Sequence, residues 1–230
     1  MEIKMKALTG FVIIKIDTRQ KERYRLGGTD IVLDITRGFN WNQREDRPTL
    51  ATIIDGENLP SGTDVLVNYL ALEPVYEILD EDILTKHEKQ QGYKILSIPN
   101  DMCFAYFHKG EWHPCKEYLI TMRVYKPYGG MLLGVEPVLV KNIMYVVKGY
   151  SEGTEKDKVD LSGKVAVTLD WADYEIIWTN RDNQEERIIR TRDREVIGID
   201  NSALEKINKG EYLIGLSPKT AKKLKEWQKV

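Results

Sequence analysis

The feature that most constrains this chain is an internal repeat, in which six short blocks recur in the same order in its two halves. Phe11-Val-Ile-Ile-Lys-Ile aligns with Tyr118-Leu-Ile-Thr-Met-Arg, and a glycine pair follows each, Gly27-Gly28 and Gly129-Gly130. An aliphatic triplet comes after each pair, Ile31-Val32-Leu33 and Met131-Leu132-Leu133. Next, Leu50-Ala-Thr-Ile-Ile-Asp-Gly matches Ile143-Met-Tyr-Val-Val-Lys-Gly, and Ser61-Gly62 before Val65-Leu-Val matches Ser162-Gly163 before Val165-Ala-Val. Tyr76-Glu-Ile-Leu matches Tyr174-Glu-Ile-Ile. Ile95-Leu96 with Cys103-Phe-Ala-Tyr matches Ile188-Ile189 with Val196-Ile-Gly-Ile. The repeat predicts two β domains, residues 1–110 and 111–200, followed by a C-terminal extension over 201–230.

Each half reads as short strands, because apolar runs rich in Val, Ile and Tyr alternate with Gly, Pro, Asn and Asp clusters. Segments 11–16, 50–54, 65–69, 143–147 and 165–169 are the clearest. Helical spacing is confined to 202–208 and to 219–229, where Ser217 as N-cap and Pro218 at the first helical position open a basic helix. The expected fold class is mainly β, two tandem barrels with a short C-terminal helix. Strand alternation assigns Val12, Ile14, Val65, Val67, Leu119, Val165, Val167 and Ile197 to the barrel interiors.

Composition narrows the function. The 34 basic and 36 acidic residues give a formal charge of -2, which argues against binding nucleic acid through phosphate neutralisation. No apolar run approaches the roughly 18 residues of a membrane span. The start MEIKMKALTG has no apolar core followed by a cleavage site, so the expected compartment is the cytoplasm. No nucleotide-binding glycine signature is present, and no cofactor is expected.

The order of blocks resembles the GroES-like co-chaperonins, most closely in the second half: Pro114, the strand from Tyr118, Gly129-Gly130-Met131-Leu132-Leu133, a strand closing at Gly149, then Leu161-Ser-Gly-Lys-Val-Ala-Val. That resemblance covers about 200 residues and implies two GroES-like barrels in tandem. It also implies a non-enzymatic, oligomeric chaperone that docks on a chaperonin ring through mobile Gly-Gly/aliphatic loops. The implied partner-binding residues are Gly27, Gly28, Ile31, Val32 and Leu33 in one loop and Gly129, Gly130, Met131, Leu132 and Leu133 in the other. Glycine frees the backbone, and three aliphatic side chains contribute on the order of 5 kcal/mol when buried in a partner groove. The alternative is that both triplets are strands of the barrels.

One departure favours a different role. Family members carry a roof hairpin after the glycine that ends the second strand, whereas the first half has only Asp55-Gly-Glu-Asn-Leu-Pro-Ser-Gly there and the second has residues 150–160. The alternative function is a virion structural protein of a tailed bacteriophage, a capsid-decorating or neck component, with viral capsid or neck proteins as partners and the virion as location.

Chemistry is sparse. Cys103, His108, His113 and Cys115 follow the spacing C-x4-H-x4-H-x-C, whose thiolates and imidazoles suit zinc, but Cys103 falls where the repeat has Val196 and reads as a core residue. The same residues lack a third orienting group for nucleophilic catalysis. Asp170, Asp173 and Glu175 read as the solvated side of a strand, and 181–195 as a hydrated hairpin of mixed charge. Lys219, Lys222, Lys223, Lys225 and Lys229, with Leu224 and Trp227, leave the last helix open to a neighbouring subunit, an acidic partner or solvent. No catalytic residue and no metal ligand is assigned.

Overall fold

The computed structural model describes residues 5–18, 23–26, 29–32, 48–78, 84–115, 118–127, 137–151, 158–168, 177–179, 185–190 and 196–215. In chain order the strands are β1 (Phe11–Asp17), β2 (Arg23–Leu26), β3 (Thr29–Val32), β4 (Pro48–Gly56), β5 (Asp64–Asn68), β6 (Tyr93–Pro99), β7 (Cys103–His108) and β8 (Glu111–Pro114). They continue as β9 (Tyr118–Lys126), β10 (Val138–Lys148), β11 (Val165–Thr168), β12 (Ile177–Thr179), β13 (Glu185–Arg190), β14 (Val196–Ile199) and β15 (Leu213–Ile214). The α-helices among the described residues are α1 (Lys86–Gln90) and α2 (Asn201–Asn208), and short 3-10 turns lie at Tyr69–Leu72, Pro74–Tyr76 and Asn100–Met102. The protein is mainly β, as its strand-like runs predict. The expected helix at 202–208 is α2, while 219–229 lies outside the described residues.

The chain divides into two compact units. The first comprises Met1–Arg23 and Leu33–Lys116, the second Tyr24–Val32 and Glu117–Val230. The repeat places a boundary near residue 110, and the division adds what it does not contain: the short segment Tyr24–Val32 belongs with the second half. The first sheet runs β6-β1-β4-β5-β7-β8 and the second β14-β11-β10-β9-β13-β12-β3-β2, with β15 added beside β9. Among the described residues both are open antiparallel paths, with no pairing that closes either into a ring.

The duplication extends to the hydrogen bonds. The first sheet contains the order β6-β1-β4-β5-β7 and the second its counterpart β13-β9-β10-β11-β14. Ile14 faces Ile53 and Lys15 faces Thr52 in one, and Thr121 faces Val146 and Met122 faces Tyr145 in the other. The Ile53 N–H donates to the Thr63 carbonyl at 2.9 Å and the Gly62 N–H to the Ile53 carbonyl at 2.7 Å. In the second unit the Val146 N–H donates to Lys164 and the Gly163 N–H to Val146, both at 2.8 Å. Even the register shift recurs, between Leu66 and Val67 against β7 and between Val167 and Thr168 against β14.

These registers correct two of the sequence alignments. Ala51 faces Val65 and Met144 faces Ala166, so Val65 corresponds to Ala166 rather than to Val165. Val12 faces Ile98 and Leu119 faces Ile189, so Ile189 corresponds to Ile98, two residues beyond Leu96. A slip of two keeps a side chain on its face, but a slip of one turns it over. Val12, Ile14, Val65, Val67, Leu119 and Val165 are buried as expected, whereas Val167 is only half-buried and Ile197, on a strand edge with no further strand beside it among the described residues, is 58% exposed.

In the first unit the core is aliphatic, with Val12, Ile14, Ile16, Leu66 and Ile98 fully enclosed. The second has one cluster of Leu119, Val146, Leu161 and Ala166 and another of Val124, Ile143, Val165 and Ala203, against which Leu204, Ile207 and Tyr212 pack. Helix α2 is therefore a core element; Asp200 caps it by accepting from the Ala203 N–H at 2.9 Å. Helix α1 buries no residue and relies on a capping box in which Thr85 and Glu88 satisfy each other's backbone.

Candidate functional site

Of the expected partner-binding residues, Ile31 and Val32 fall in the described part of the chain. They belong to β3, and Ile31 pairs in backbone register with Trp178 of β12, so here the segment is a strand of the second unit's sheet. Gly27, Gly28, Leu33 and the whole of Gly129, Gly130, Met131, Leu132 and Leu133 lie outside the described residues. So do Asp170, Asp173 and Glu175, and the lysines of 219–229.

The turn after the second strand differs between the units. In the first, Gly56 leads straight into a tight connection, with the Thr63 hydroxyl donating to the Pro60 carbonyl at 2.6 Å. In the second, the same base carries a hairpin: Tyr150 bridges Asp160, the Ser151 N–H donates to the Val159 carbonyl at 2.9 Å, and the Leu161 N–H closes onto Gly149 at 3.0 Å. Tyr150 and Val159 are both more than half exposed on it. Residues 152–157, between these paired ends, lie outside the described residues.

The C-x4-H-x4-H-x-C residues surround the β7–β8 hairpin. Cys103 and Cys115 are buried free thiols. Burial, with Asp101 nearby, pushes the Cys103 thiol up to about 12, and burial beside Cys103 holds Cys115 well above the usual thiol range. Raised in this way, both thiols are poor nucleophiles at neutral pH. Among the described residues no group of three or more His, Cys, Asp or Glu side chains is placed to hold a metal ion, so the four-ligand set is not assembled. Burial also raises the Tyr106 hydroxyl, with a further push from Cys115. Asp64, opposite Phe107, is raised by burial as well, against a hydrogen bond from Thr52.

One surface escapes the sequence reading. The outer edge of β7 is covered by β8, and the matching edge of β14 has no counterpart to β8 among the described residues. Phe104 and Ile197 occupy corresponding bulge positions, but Phe104, whose carbonyl accepts from the Cys115 N–H at 2.9 Å, is 6% exposed and Ile197 is 58%. Ile199 shares the exposed face. An uncovered apolar edge is a ready template for pairing with another strand. The signal is present in Val-Ile-Gly-Ile, where period two leaves glycine rather than a large side chain on the face opposite the isoleucines. Among the described residues no helix is long and apolar enough to cross a membrane. Comparison with protein-family models, curated proteins and solved structures gives no match for this chain.

Proposed function

We propose that the chain is a non-enzymatic, co-chaperonin-like protein: two GroES-like barrels that assemble with further copies, dock on a chaperonin ring through their Gly-Gly/aliphatic segments and assist protein folding. The observation that carries this reading is the duplication, one five-strand order repeated with the same cross-strand registers and the same turn hydrogen bonds. It supports treating the sequence blocks as two copies of one unit, and those blocks are what resemble the co-chaperonins. The pairing of Ile31 with Trp178 favours the strand alternative for the first aliphatic segment, so the docking role falls chiefly on Gly129 to Leu133.

The test is co-elution of the purified chain with a chaperonin ring in the presence of nucleotide. Association that is lost in Leu132→Asp while the unfolding midpoint is unchanged supports the reading. Failure to associate with every chaperonin offered, by a well-folded protein, overturns it.

The second reading, a structural component of a tailed bacteriophage virion, is favoured by a separate observation. The first unit has a tight turn where a closed dome requires a roof hairpin, and β14 presents Ile197 and Ile199 on an uncovered edge suited to a neighbouring subunit. Native mass spectrometry separates the two: a discrete trimer or tetramer of the isolated chain supports the co-chaperonin, and a monomer that assembles only on a viral particle supports the virion protein.

A further inference from the structure

The β7–β8 hairpin carries chemistry that neither assembly role uses. Its strands are joined by Lys109-Gly110 with φ of 51° and 84°, a two-residue connection with both central residues in the left-handed region, which matches the twist of paired strands. The register is therefore fixed: His108 faces Glu111, Phe107 faces Trp112 and Tyr106 faces His113. Directly opposed residues share a face and neighbours along a strand alternate, so the two faces have different characters. One holds Phe107 against Trp112, ring centroids 5.3 Å apart, with Trp112 buried. The other holds Tyr106, His108, Glu111 and His113.

On that second face the His113 ring stacks on Tyr106 at 5.2 Å and 16°, and the His108 ring stands 6.3 Å from His113 at 60°. Both imidazoles are half-buried, held on paired strands yet open to solvent. We propose that His108 and His113 form a two-imidazole chelate for a borderline divalent transition ion of the copper, nickel or zinc class. Water completes the coordination, and the Glu111 carboxylate opposite His108 adds favourable charge. The inference does not depend on the co-chaperonin reading.

Three points argue for this chemistry. A metal–nitrogen bond is about 2.0–2.1 Å and an imidazole nitrogen lies about 1.1 Å from its ring centre, so two rings sharing an ion have centroids roughly 5.2 Å apart at a tetrahedral angle and up to about 6.4 Å when the ion lies on the line between them. The observed 6.3 Å lies at the linear end of that range, and the broad second torsion of histidine allows the rings to close by the roughly 1 Å that a tetrahedral angle requires. The ion class follows from the donors: imidazole suits copper, nickel and zinc, whereas magnesium and calcium demand oxygen. Finally, Cys103 and Cys115 are buried, and no set of three ligands exists among the described residues. The site is accordingly a reversible one of two histidines, rather than the structural zinc site of the C-x4-H-x4-H-x-C spacing.

The experiment uses the full chain without a histidine tag. Copper(II) is added in small substoichiometric steps while the ring signals of its three histidines are followed by proton NMR. His108 and His113 are expected to broaden together, ahead of His87 on α1, and magnesium at the same concentrations is expected to leave all three sharp. Calorimetric titration is expected to give one ion per chain. The affinity should weaken on the order of tenfold in His108→Gln and in His113→Gln, because each variant loses the chelate, and remain unchanged in Cys115→Ser. Broadening of His87 in parallel, of only one of the pair, or of none overturns the proposal, as does an unchanged affinity in His108→Gln. If His113→Gln misfolds because it loses the stack on Tyr106, the wild-type NMR titration and His108→Gln decide.

Discussion

The outer edges of β7 and β14 are the same strand position in two copies of one unit, and they have met opposite fates. In the first unit the chain reverses through Lys109-Gly110 and lays β8 along the edge, burying Phe104 and Trp112. In the second the chain turns at Asp200 into α2, which caps the cluster around Val165 and leaves Ile197 and Ile199 facing out. Identical registers thus serve one unit that covers its edge and another that presents it. The contrast places this divergence after the last shared strand, where one copy continues into β8 and the other into α2.

The largest expected difference comes from removing the cover. Trp112→Ala should cost about 3–5 kcal/mol, the range for a buried tryptophan, while Ile197→Ala should stay within about 0.5 kcal/mol because the side chain is exposed. Urea unfolding midpoints check both, and similar costs would break the contrast. Ile197→Lys, with its stability unchanged, should instead reduce self-association in sedimentation.

The strand-ending glycines sharpen the comparison. A Cβ at Gly149, where φ is 142°, would collide with the Leu119 side chain and sit 3.1 Å from the Tyr118 carbonyl oxygen. At Gly56 it would meet only the Val12 methyls, 3.1 Å and 3.3 Å away. Gly149→Ala should therefore cost about 3 kcal/mol, from overpacking and backbone strain together, and Gly56→Ala about 1 kcal/mol.

Smaller effects separate the helices. Asp200→Ala should cost about 1 kcal/mol because α2 is part of a core, and Thr85→Ala closer to 0.5 kcal/mol because α1 is exposed. The Thr85 backbone and hydroxyl, with Lys15, lower the Glu88 carboxyl from 4.5 to about 2. A depressed carboxylate stabilises the fold above its unfolded value, so this contribution is present at neutral pH and lost as pH falls from about 4.5 toward 2. Glu88→Gln should flatten that limb of the stability curve, a shift readable in acid titrations of unfolding.

The sequence shows much of this and misses the rest for physical reasons. Strand segments 11–16, 50–54, 143–147 and the helix at 202–208 are legible because their signals are local, a dense β-branched run or a helical spacing. Cys103 reads as a core residue from its match with Val196, and the registers agree. The exposure of Ile197 is not legible from the repeat, since β7 and β14 align and the strand that covers β7 comes only after the last shared block. Nor is the Tyr106–His113 stack, which depends on reading Lys109-Gly110 as a two-residue turn; without that register His108 and His113 are merely residues of a zinc-like spacing. The membership of Tyr24–Val32 in the second unit rests on a long-range pairing that no local pattern encodes.

That membership has a consequence for how the chain is made. Ile31 leaves the ribosome about 150 residues before Trp178, its partner in the sheet. At the usual 5–20 residues per second it waits roughly 7–30 s for that partner. Of the first unit's strands β1 precedes Ile31, and β4 to β8 are all synthesised within that interval, so its sheet has time to form while β3 still lacks β12. During that window β3 has β2 on one side and an open edge on the other, the kind of surface that a chaperone holds or a neighbouring polypeptide captures. The rate at which residues 117–190 emerge thereby sets how long the protein is exposed to misassembly, and slow translation of the second half would raise its dependence on chaperones without altering a single contact of the finished fold.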